Sequence, residues 1–283
     1  MASNTSRARL PAHDMSELVE GYFRELDAKP WSRFASFDWS ALKPECLAPE
    51  MRSALSFITL IEDHLPGYFL EYQRIFPVDG EVSPDDFVHN RELYRFTVKW
   101  AQEEDAHAHV LTMYQVRAGL VAPDALRQQL AEEGRKDFHL PLTDPVQVFT
   151  YTLIQEKATQ LFYQQFARAV AEPVLKEILR QLTRDEARHF AFFARVLRAY
   201  LDRFGEALLP AVKDALEAFK MPLAETLRGY WRWSLQIADA VGGYEHSAAY
   251  EDLIRTIKSC TESSRWSKVR DLEDFVRAIR PAA

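Results

Sequence analysis

The feature that most constrains the fold of this chain is a set of acidic residues placed where a helical pattern calls for apolar ones. Glu104 and Glu186 each open a Glu-x-x-His motif, which His107 and His189 complete. Residues three apart lie on one face of a helix, and the rest of each face is mainly leucine, alanine and aromatic side chains. Two such motifs indicate a buried polar site inside a helical bundle.

Two further glutamates stand alone, one in the helical segment before each motif. Glu62 lies three residues before Leu65, and Glu156 lies three residues after Leu153, each on a face that is otherwise apolar. The order along the chain is therefore a lone Glu, a Glu-x-x-His, a lone Glu and a Glu-x-x-His. In four-helix bundles that bind two metal ions, ligands in this arrangement project inward from the four facing helices.

Buried carboxylates of one sign need a compensating charge. Each ion taken out of water costs several kcal/mol even after relaxation, and like charges repel one another. Two divalent cations would balance four carboxylates, and two neutral imidazoles would add ligands without adding charge. Carboxylate-rich ligands favour iron over zinc and leave manganese open. The predicted ligands of this two-metal centre are Glu62, Glu104, His107, Glu156, Glu186 and His189.

Helical periodicity extends along most of the chain and predicts an all-α fold. The sequence has nine glycines in 283 residues and little β-branched alternation. Long helices are predicted over residues 49–76, 84–118, 145–171 and 173–204. Shorter helices are predicted over residues 16–28, 123–135, 206–220, 223–241, 246–258 and 266–279. The connector between the two pairs, about 25 residues long, suits a crossover along a four-helix bundle.

Composition sets limits on domain organisation and location. No shift in composition marks a boundary, so we expect a disordered lead-in at residues 1–13 and a single domain at residues 14–283. No run of about 18 apolar residues is present, so no membrane-spanning helix is expected, and the N-terminus lacks the apolar segment of a secretory signal. Cys46 and Cys260 suit reduced thiols in a cytoplasmic protein. A net charge of −7 argues against nucleic acid as a partner.

Four short motifs surround the predicted ligands. They are Glu-Asp-His-Leu-Pro-Gly-Tyr at 62–68, Glu-Glu-Asp-Ala-His at 103–107, Gln-Glu-Lys-Ala-Thr at 155–159 and Asp-Glu-Ala-Arg-His at 185–189. In order and context they resemble the ligand motifs of the soluble acyl-acyl-carrier-protein desaturases. The family's own motifs are Glu-x-x-Leu-Pro-x-Tyr, Glu-Glu-Asn-Arg-His, Gln-Glu-Arg-Ala-Thr and Asp-Glu-Lys-Arg-His. The resemblance runs through residues 57–201 and more faintly to the C-terminus.

The resemblance implies both a fold and an activity. The fold is a ferritin-like four-helix bundle with additional N- and C-terminal helices, in a homodimer. The activity is that of an oxidoreductase whose two iron ions, reduced by a ferredoxin-type donor, use dioxygen to place a cis double bond in a saturated acyl chain. The chain is carried by acyl-carrier protein, and residues 255–283, with seven Lys or Arg against four Asp or Glu, suit such an acidic partner.

The resemblance also implies roles for three residues beside the ligands. Thr159 matches a threonine that assists oxygen or proton handling. Asp185 matches a carboxylate that orients a ligand histidine, and Trp100 matches a tryptophan near the side where electrons enter. Each also has a purely structural interpretation: Thr159 can bond to its own helix, Asp185 can be solvated, and Trp100 can be a core residue.

Other functions remain open on the sequence. The same centre could transfer oxygen, as in a hydroxylase or N-oxygenase acting on a carrier-tethered or small substrate. A ferritin-type ferroxidase is disfavoured by the helices predicted after residue 204. A ribonucleotide-reductase small subunit would need a radical partner beside the metals, for which Tyr163 is a candidate.

Two pairs of residues outside the ligand set need an interpretation. Glu71 and Arg74 fall where the resemblance places apolar or small residues beside an acyl channel, so either they point outward or the pocket is altered. Asp86 and His89 form an Asp-x-x-His pair at the start of a predicted helix. We interpret that pair as a solvated helix start.

Overall fold

The computed structural model describes residues 9–227, 247–260 and 265–279, with single positions between 228 and 246. Throughout these residues it contains helices and no strand, so the predicted all-α class is confirmed. None of the helices in these ranges is long and apolar enough to cross a membrane. The α-helices are α1 (Ala12–Asp27), α2 (Pro49–Glu62), α3 (Leu65–Ile75), α4 (Pro84–Arg117), α5 (Pro123–Gly134), α6 (Pro145–Ala169), α7 (Pro173–Phe204), α8 (Leu209–Glu217), α9 (Ser247–Lys258) and α10 (Lys268–Ile279).

Helices α2, α4, α6 and α7 surround the middle of the molecule, with α6 packed along α7, α2 packed against α4, and α1 laid over α4 and α7. The bundle interior holds two clusters of buried apolar side chains. Along α4, Trp100 belongs to one cluster and Leu111 to the other; along α7, Leu182 and Phe192 are divided in the same way. The predicted ligands of both helices fall between these positions, so they lie at mid-bundle, away from either end.

The long helix predicted over residues 49–76 is in fact two helices. Helix α2 ends at Glu62, and α3 begins at Leu65. The cause is Pro66, which has no backbone N–H and whose ring would clash with the carbonyl of the residue four positions earlier, Glu62. Glu62 therefore occupies the last turn of a helix. After the break, a side chain at Gly67 would meet the His64 ring at 2.9 Å, so the tight packing there requires glycine.

The described structure begins within the predicted lead-in. Helix α1 begins at Ala12, Leu10 is buried, and Arg9 hydrogen bonds to Asp86 at 3.2 Å. The Arg9 bond joins the start of the described chain to α4. Residues 1–8 of the predicted lead-in lie outside the described residues.

The C-terminal predictions are met in part. The helix predicted over 206–220 is a short 3-10 turn followed by α8, and α9 and α10 begin within two residues of their predicted starts. Residues 223–227 form turns, and Leu223 has a φ of 62°, which a non-glycine residue rarely adopts. Most of the helix predicted over 223–241 lies outside the described residues.

His89 is buried, so the prediction of a solvated Asp-x-x-His pair is wrong. Its Nε2 lies 3.0 Å from the Tyr200 hydroxyl of α7, and its Nδ1 lies 3.1 Å from Asn90 Oδ1. Burial lowers the pKa of His89 to about 4, so the imidazole is neutral at physiological pH. His89 therefore ties α4 to α7 at the end of the bundle.

Glu71 and Arg74 form an ion pair in which Glu71 is turned inward and Arg74 is partly exposed. Glu71 is buried and accepts hydrogen bonds from Arg74 Nη2 and from the Leu140 backbone N–H, both at 2.9 Å. Arg74 Nη2 also donates to the Leu140 carbonyl at 3.0 Å, and His139 Nδ1 lies 3.2 Å from Glu71. The pair thus fastens α3 to the segment that leads into α6.

Replacing Glu71 with glutamine should lower the free energy of unfolding by about 1–3 kcal/mol at neutral pH, because charge-assisted hydrogen bonds are lost. Although burial opposes ionisation, the bonds from Arg74, Leu140 and His139 lower the pKa of Glu71 below its usual 4.5. Stability from this carboxylate is therefore present above that value and is lost as the pH falls through the lowered pKa. Urea unfolding of both proteins across this range measures the difference.

Glu177→Gln is the matched control, because Glu177 also pairs with an arginine three residues later, Arg180, but at an exposed position. An exposed pair contributes about 0.5 kcal/mol or less. Equal losses in the two variants would contradict a special role for the buried carboxylate.

Candidate metal centre

All six predicted ligands meet in the middle of the bundle. Each comes from the helix that the sequence assigned to it, and all are buried. They form two overlapping groups whose ligand atoms lie within 4.8 Å of one another. The first group is Glu62, Glu104, His107 and Glu186, and the second is Glu104, Glu156, Glu186 and His189. Glu104 and Glu186 belong to both groups, which is the property expected of bridging ligands.

The two shared glutamates divide their oxygens between the two histidines. Glu104 Oε2 lies 3.4 Å from His107 Nδ1, and its Oε1 lies 2.9 Å from His189 Nδ1. Glu186 Oε1 lies 3.4 Å from His107 Nδ1, and its Oε2 lies 3.8 Å from His189 Nδ1. The lone glutamates take one side each: Glu62 Oε2 is 3.8 Å from His107 Nδ1, and Glu156 Oε2 is 3.3 Å from His189 Nδ1.

The electrostatics of the cluster show how strongly it needs positive charge. Burial, together with the neighbouring carboxylates, raises the pKa of Glu62 and of Glu156 well above the usual value. Burial alone would lower the pKa of His107 and of His189, yet the surrounding carboxylates raise both well above normal. Acidic groups that share a dry site attract positive charge in this way.

The donor atoms fit a pair of divalent cations. Among the described residues, four buried atoms of these ligands have no partner in hydrogen-bond geometry: His107 Nδ1, His189 Nδ1, Glu156 Oε1 and Glu186 Oε1. A buried polar atom without a partner is costly, and a cation would satisfy several of them at once. Carboxylate oxygens and imidazole nitrogens are the ligands used by iron and manganese in such centres.

The outer nitrogens of the two histidines face carboxylates on the opposite helix. His107 Nε2 of α4 lies 3.2 Å from Asp185 Oδ2 of α7, and His189 Nε2 of α7 lies 3.5 Å from Glu103 Oε2 of α4. Metal-bound imidazoles usually face such a carboxylate, which orients the ring. Asp185 is therefore placed as the resemblance implied. Glu103 was not predicted, although it precedes Glu104 as Asp185 precedes Glu186.

Arg188 pairs with both outer carboxylates, those of Asp185 and Glu103. Arg188 Nη2 donates to Asp185 Oδ1 at 2.6 Å and also pairs with Glu103, which accepts a further bond from the Tyr22 hydroxyl of α1. Although burial opposes ionisation, the contacts with His107 and Arg188 lower the pKa of Asp185 to about 2. Arg188 thus keeps the carboxylates behind both histidines charged.

Two tryptophans lie on different sides of the centre. Trp31, in the irregular segment after α1, is half-buried and donates from Nε1 to Asp185 Oδ2 at 2.8 Å. Contacts therefore run from the protein surface through Trp31 and Asp185 to His107. Trp100 is almost fully buried inside the bundle. The sequence singled out Trp100 and missed Trp31, because Trp31 precedes the matched motifs and its contact joins residues 154 positions apart.

A small cavity adjoins the centre. Its volume is about 30 Å³, which is enough to hold a water molecule. Glu62, Glu104 and Glu186 line it, together with Trp100 and Thr159. Thr159 therefore lines the same cavity as three of the candidate metal ligands.

Comparison with known proteins agrees with this geometry. The family model described as "Fatty acid desaturase" matches residues 38–279. The chain belongs to that family. It is 26% identical over 237 residues to DesA1 of Mycobacterium tuberculosis, a provisionally named acyl-[acyl-carrier-protein] desaturase, covering 74% of this chain and 66% of that protein. It is 26% identical over 215 residues to the chloroplastic acyl-[acyl-carrier-protein] desaturase 6 of japonica rice, covering 69% of this chain and 49% of the relative.

The match to each of these relatives spans less than two thirds of the relative's own length. Among solved structures, the X-ray structure of DesA2 from M. tuberculosis, whose title assigns it provisionally as an acyl-ACP desaturase, has a TM-score of 0.63 and 19% identity. The alignment covers 90% of this chain and 97% of that one. At that identity the likeness concerns the fold, and it confirms the predicted ferritin-like helical architecture.

Removing the two shared carboxylates should remove the metal. In a Glu104→Ala, Glu186→Ala double variant each cation position would lose two ligands, and we expect metal content to fall close to zero. Elemental analysis of protein purified with supplied iron measures this. Unchanged metal content in the double variant would show that the centre lies elsewhere.

His89→Ala is the control for that experiment. His89 is as buried as the ligand histidines but bonds to Tyr200 and Asn90 at the end of the bundle. We expect this variant to lose stability, by about 1–3 kcal/mol for the broken buried bonds, while retaining its full metal content.

Arg188→Ala should weaken metal binding without removing a ligand. Loss of the guanidinium leaves Asp185 and Glu103 without their common cation, and disturbed outer partners typically cost about 10–100-fold in affinity. Competition with a calibrated chelator measures the change. Arg184→Ala, on the exposed face of the same helix, is the control and should bind metal as the unmodified chain does.

Proposed function

We propose that this chain is a di-iron oxidoreductase that uses dioxygen to introduce a cis double bond into a saturated acyl chain attached to acyl-carrier protein. The division of Glu104 and Glu186 oxygens between His107 and His189 is the observation that carries this proposal. It supports two cations side by side, and membership of the fatty acid desaturase family supports iron and desaturation.

The protein's part in the reaction is to hold, orient and shield. Bound iron would supply the redox chemistry with dioxygen. Glu62 and His107 would hold one cation and Glu156 and His189 the other, with Glu104 and Glu186 shared between them. The apolar clusters on both sides exclude water from the centre, which strengthens each electrostatic contact there.

Three residues around the ligands would have supporting roles. Asp185 holds the His107 ring through Nε2, so Nδ1 stays directed at the carboxylates. Thr159 lines the cavity, where its hydroxyl can hold a proton next to the substrate. Trp100 also lines the cavity, so the roles proposed for Thr159 and Trp100 depend on their place in its wall.

The proposed function needs electrons and a carrier-bound substrate. We propose a ferredoxin-type donor, with electrons entering along the contact from Trp31 through Asp185 to His107. The names of the relatives specify acyl-carrier protein as the substrate carrier, and we extend this to the present chain. A homodimer and a cytoplasmic location belong to the same proposal.

A related monooxygenase, either a hydroxylase or an N-oxygenase, is the second candidate. The observation that favours it is the cavity, which is small and has Tyr68, Gln155 and Thr159 among its lining residues. A cavity of this size suits a small substrate better than a long methylene chain. The same metal ligands would serve either reaction.

Product mass separates the two candidates. The iron-loaded chain, given dioxygen, a ferredoxin system and acyl-carrier proteins with saturated acyl chains of several lengths, should yield a product lighter by two hydrogen atoms. A product heavier by one oxygen atom would support the monooxygenase instead. The Glu104→Ala, Glu186→Ala variant is the control for background oxidation, and unchanged substrates at every chain length would reject desaturation of carrier-bound acyl groups.

A further inference from the structure

Tyr163 is a buried group that the proposed reaction does not use. It lies on α6, seven residues after Glu156, but its hydroxyl crosses to α2 and donates a hydrogen bond to Glu62 Oε1. The side chain is 1% exposed. A phenol fixed in this way presents one donor to one carboxylate oxygen and holds that oxygen in place.

Glu62 needs such an anchor because of its position. It is the last residue of α2, followed directly by the break before Pro66. A glutamate side chain loses rotamer entropy when it is fixed, and a helix end restrains it less than a helix interior does. With Oε1 held by Tyr163, Oε2 remains directed at His107.

The opposite end of the centre has no equivalent anchor. Glu156 Oε1 is buried and has no hydrogen-bond partner in the described part of the chain. The two histidines differ in the same direction: His107 Nε2 lies 3.2 Å from Asp185 Oδ2, whereas His189 Nε2 lies 3.5 Å from Glu103 Oε2, a longer contact. Glu62 and His107 are therefore held by neighbouring side chains, whereas Glu156 and His189 are held less closely.

We propose that Tyr163 is a positioning residue that makes the two cation positions unequal. The position at Glu62 and His107 fills first, because its ligands are already oriented, and the position at Glu156 and His189 fills second. This inference rests on the proposed metal centre. The six ligands are arranged almost symmetrically, so the difference between the two cation positions would come from Tyr163.

Stepwise metal binding tests the inference without any need for turnover. The metal-free full chain is titrated anaerobically with Co²⁺, which accepts the same nitrogen and oxygen ligands as iron, while visible absorption and heat are recorded. The unmodified chain should bind two ions in two resolved steps. In Tyr163→Phe the first step should weaken by about 10–100-fold, as for other outer partners of metal ligands, and the second should change little, so the steps merge.

Tyr72→Phe is the matched control. Tyr72 is also buried in the bundle, and its hydroxyl shares one hydrogen bond, with Thr152 at 2.6 Å. This variant loses a buried phenol oxygen in the same way but should keep both steps. Glu156→Gln identifies the second position, because it should remove the weaker step and leave the tighter one.

Two results would overturn the inference. They are a single step in the unmodified chain, or an unchanged ratio of affinities in Tyr163→Phe; an equal weakening of both steps is a case of the second and would indicate a general loss of structure. A chain that binds no Co²⁺ at all would reject the metal centre itself, and with it both proposals. Retained two-ion binding with an unchanged ratio would reject only the role of Tyr163.

Discussion

Acidic side chains enclosed by apolar helices are the constraint on which the rest of this structure depends. The carboxylates of Glu62, Glu104, Glu156 and Glu186 are buried together, and their mutual repulsion in a dry interior is tolerable only if positive charge is present. That requirement is strongest where water cannot screen the charges, and the ligand residues lie in such a place, between two apolar clusters. It also explains why charged contacts continue outward, through Asp185 and Glu103, to Arg188.

The repeated motif accounts for much of the local arrangement. Each Glu-x-x-His is preceded by one more acidic residue, and antiparallel packing places that residue behind the histidine of the opposite helix, as Asp185 lies behind His107. The sequence differs from the family pattern at position 106, where alanine stands in place of arginine. Only the second motif therefore supplies an arginine, and Arg188 pairs with both outer carboxylates, so the two halves are joined through one guanidinium.

Periodicity and spacing were sufficient to predict the all-α class, the ligand helices and the convergence of the six ligands, because each depends on local pattern. Contacts between particular residues that are distant in sequence could not be predicted from periodicity and spacing. The bond from Trp31 to Asp185 and the burial of His89 against Tyr200 depend on how α1, α4 and α7 pack, which no local pattern specifies. The break after Glu62 was predictable in principle from Pro66, but the strong apolar periodicity on both sides favoured one continuous helix.

Ligand geometry and substrate choice rest on different residues in this chain. The ligands are held by helix packing and by outer partners such as Asp185, none of which needs to touch the substrate. The lining of the cavity, in contrast, includes Tyr68 from α3 and Met221 and Pro222 from the segment after α8. The next residue, Leu223, has a positive φ. Strained backbone of this kind costs about 1–3 kcal/mol and persists where surrounding structure imposes it. Since Met221 and Pro222 lie outside the four matched motifs, the motifs constrain the metal chemistry more than they constrain the molecule that enters the cavity.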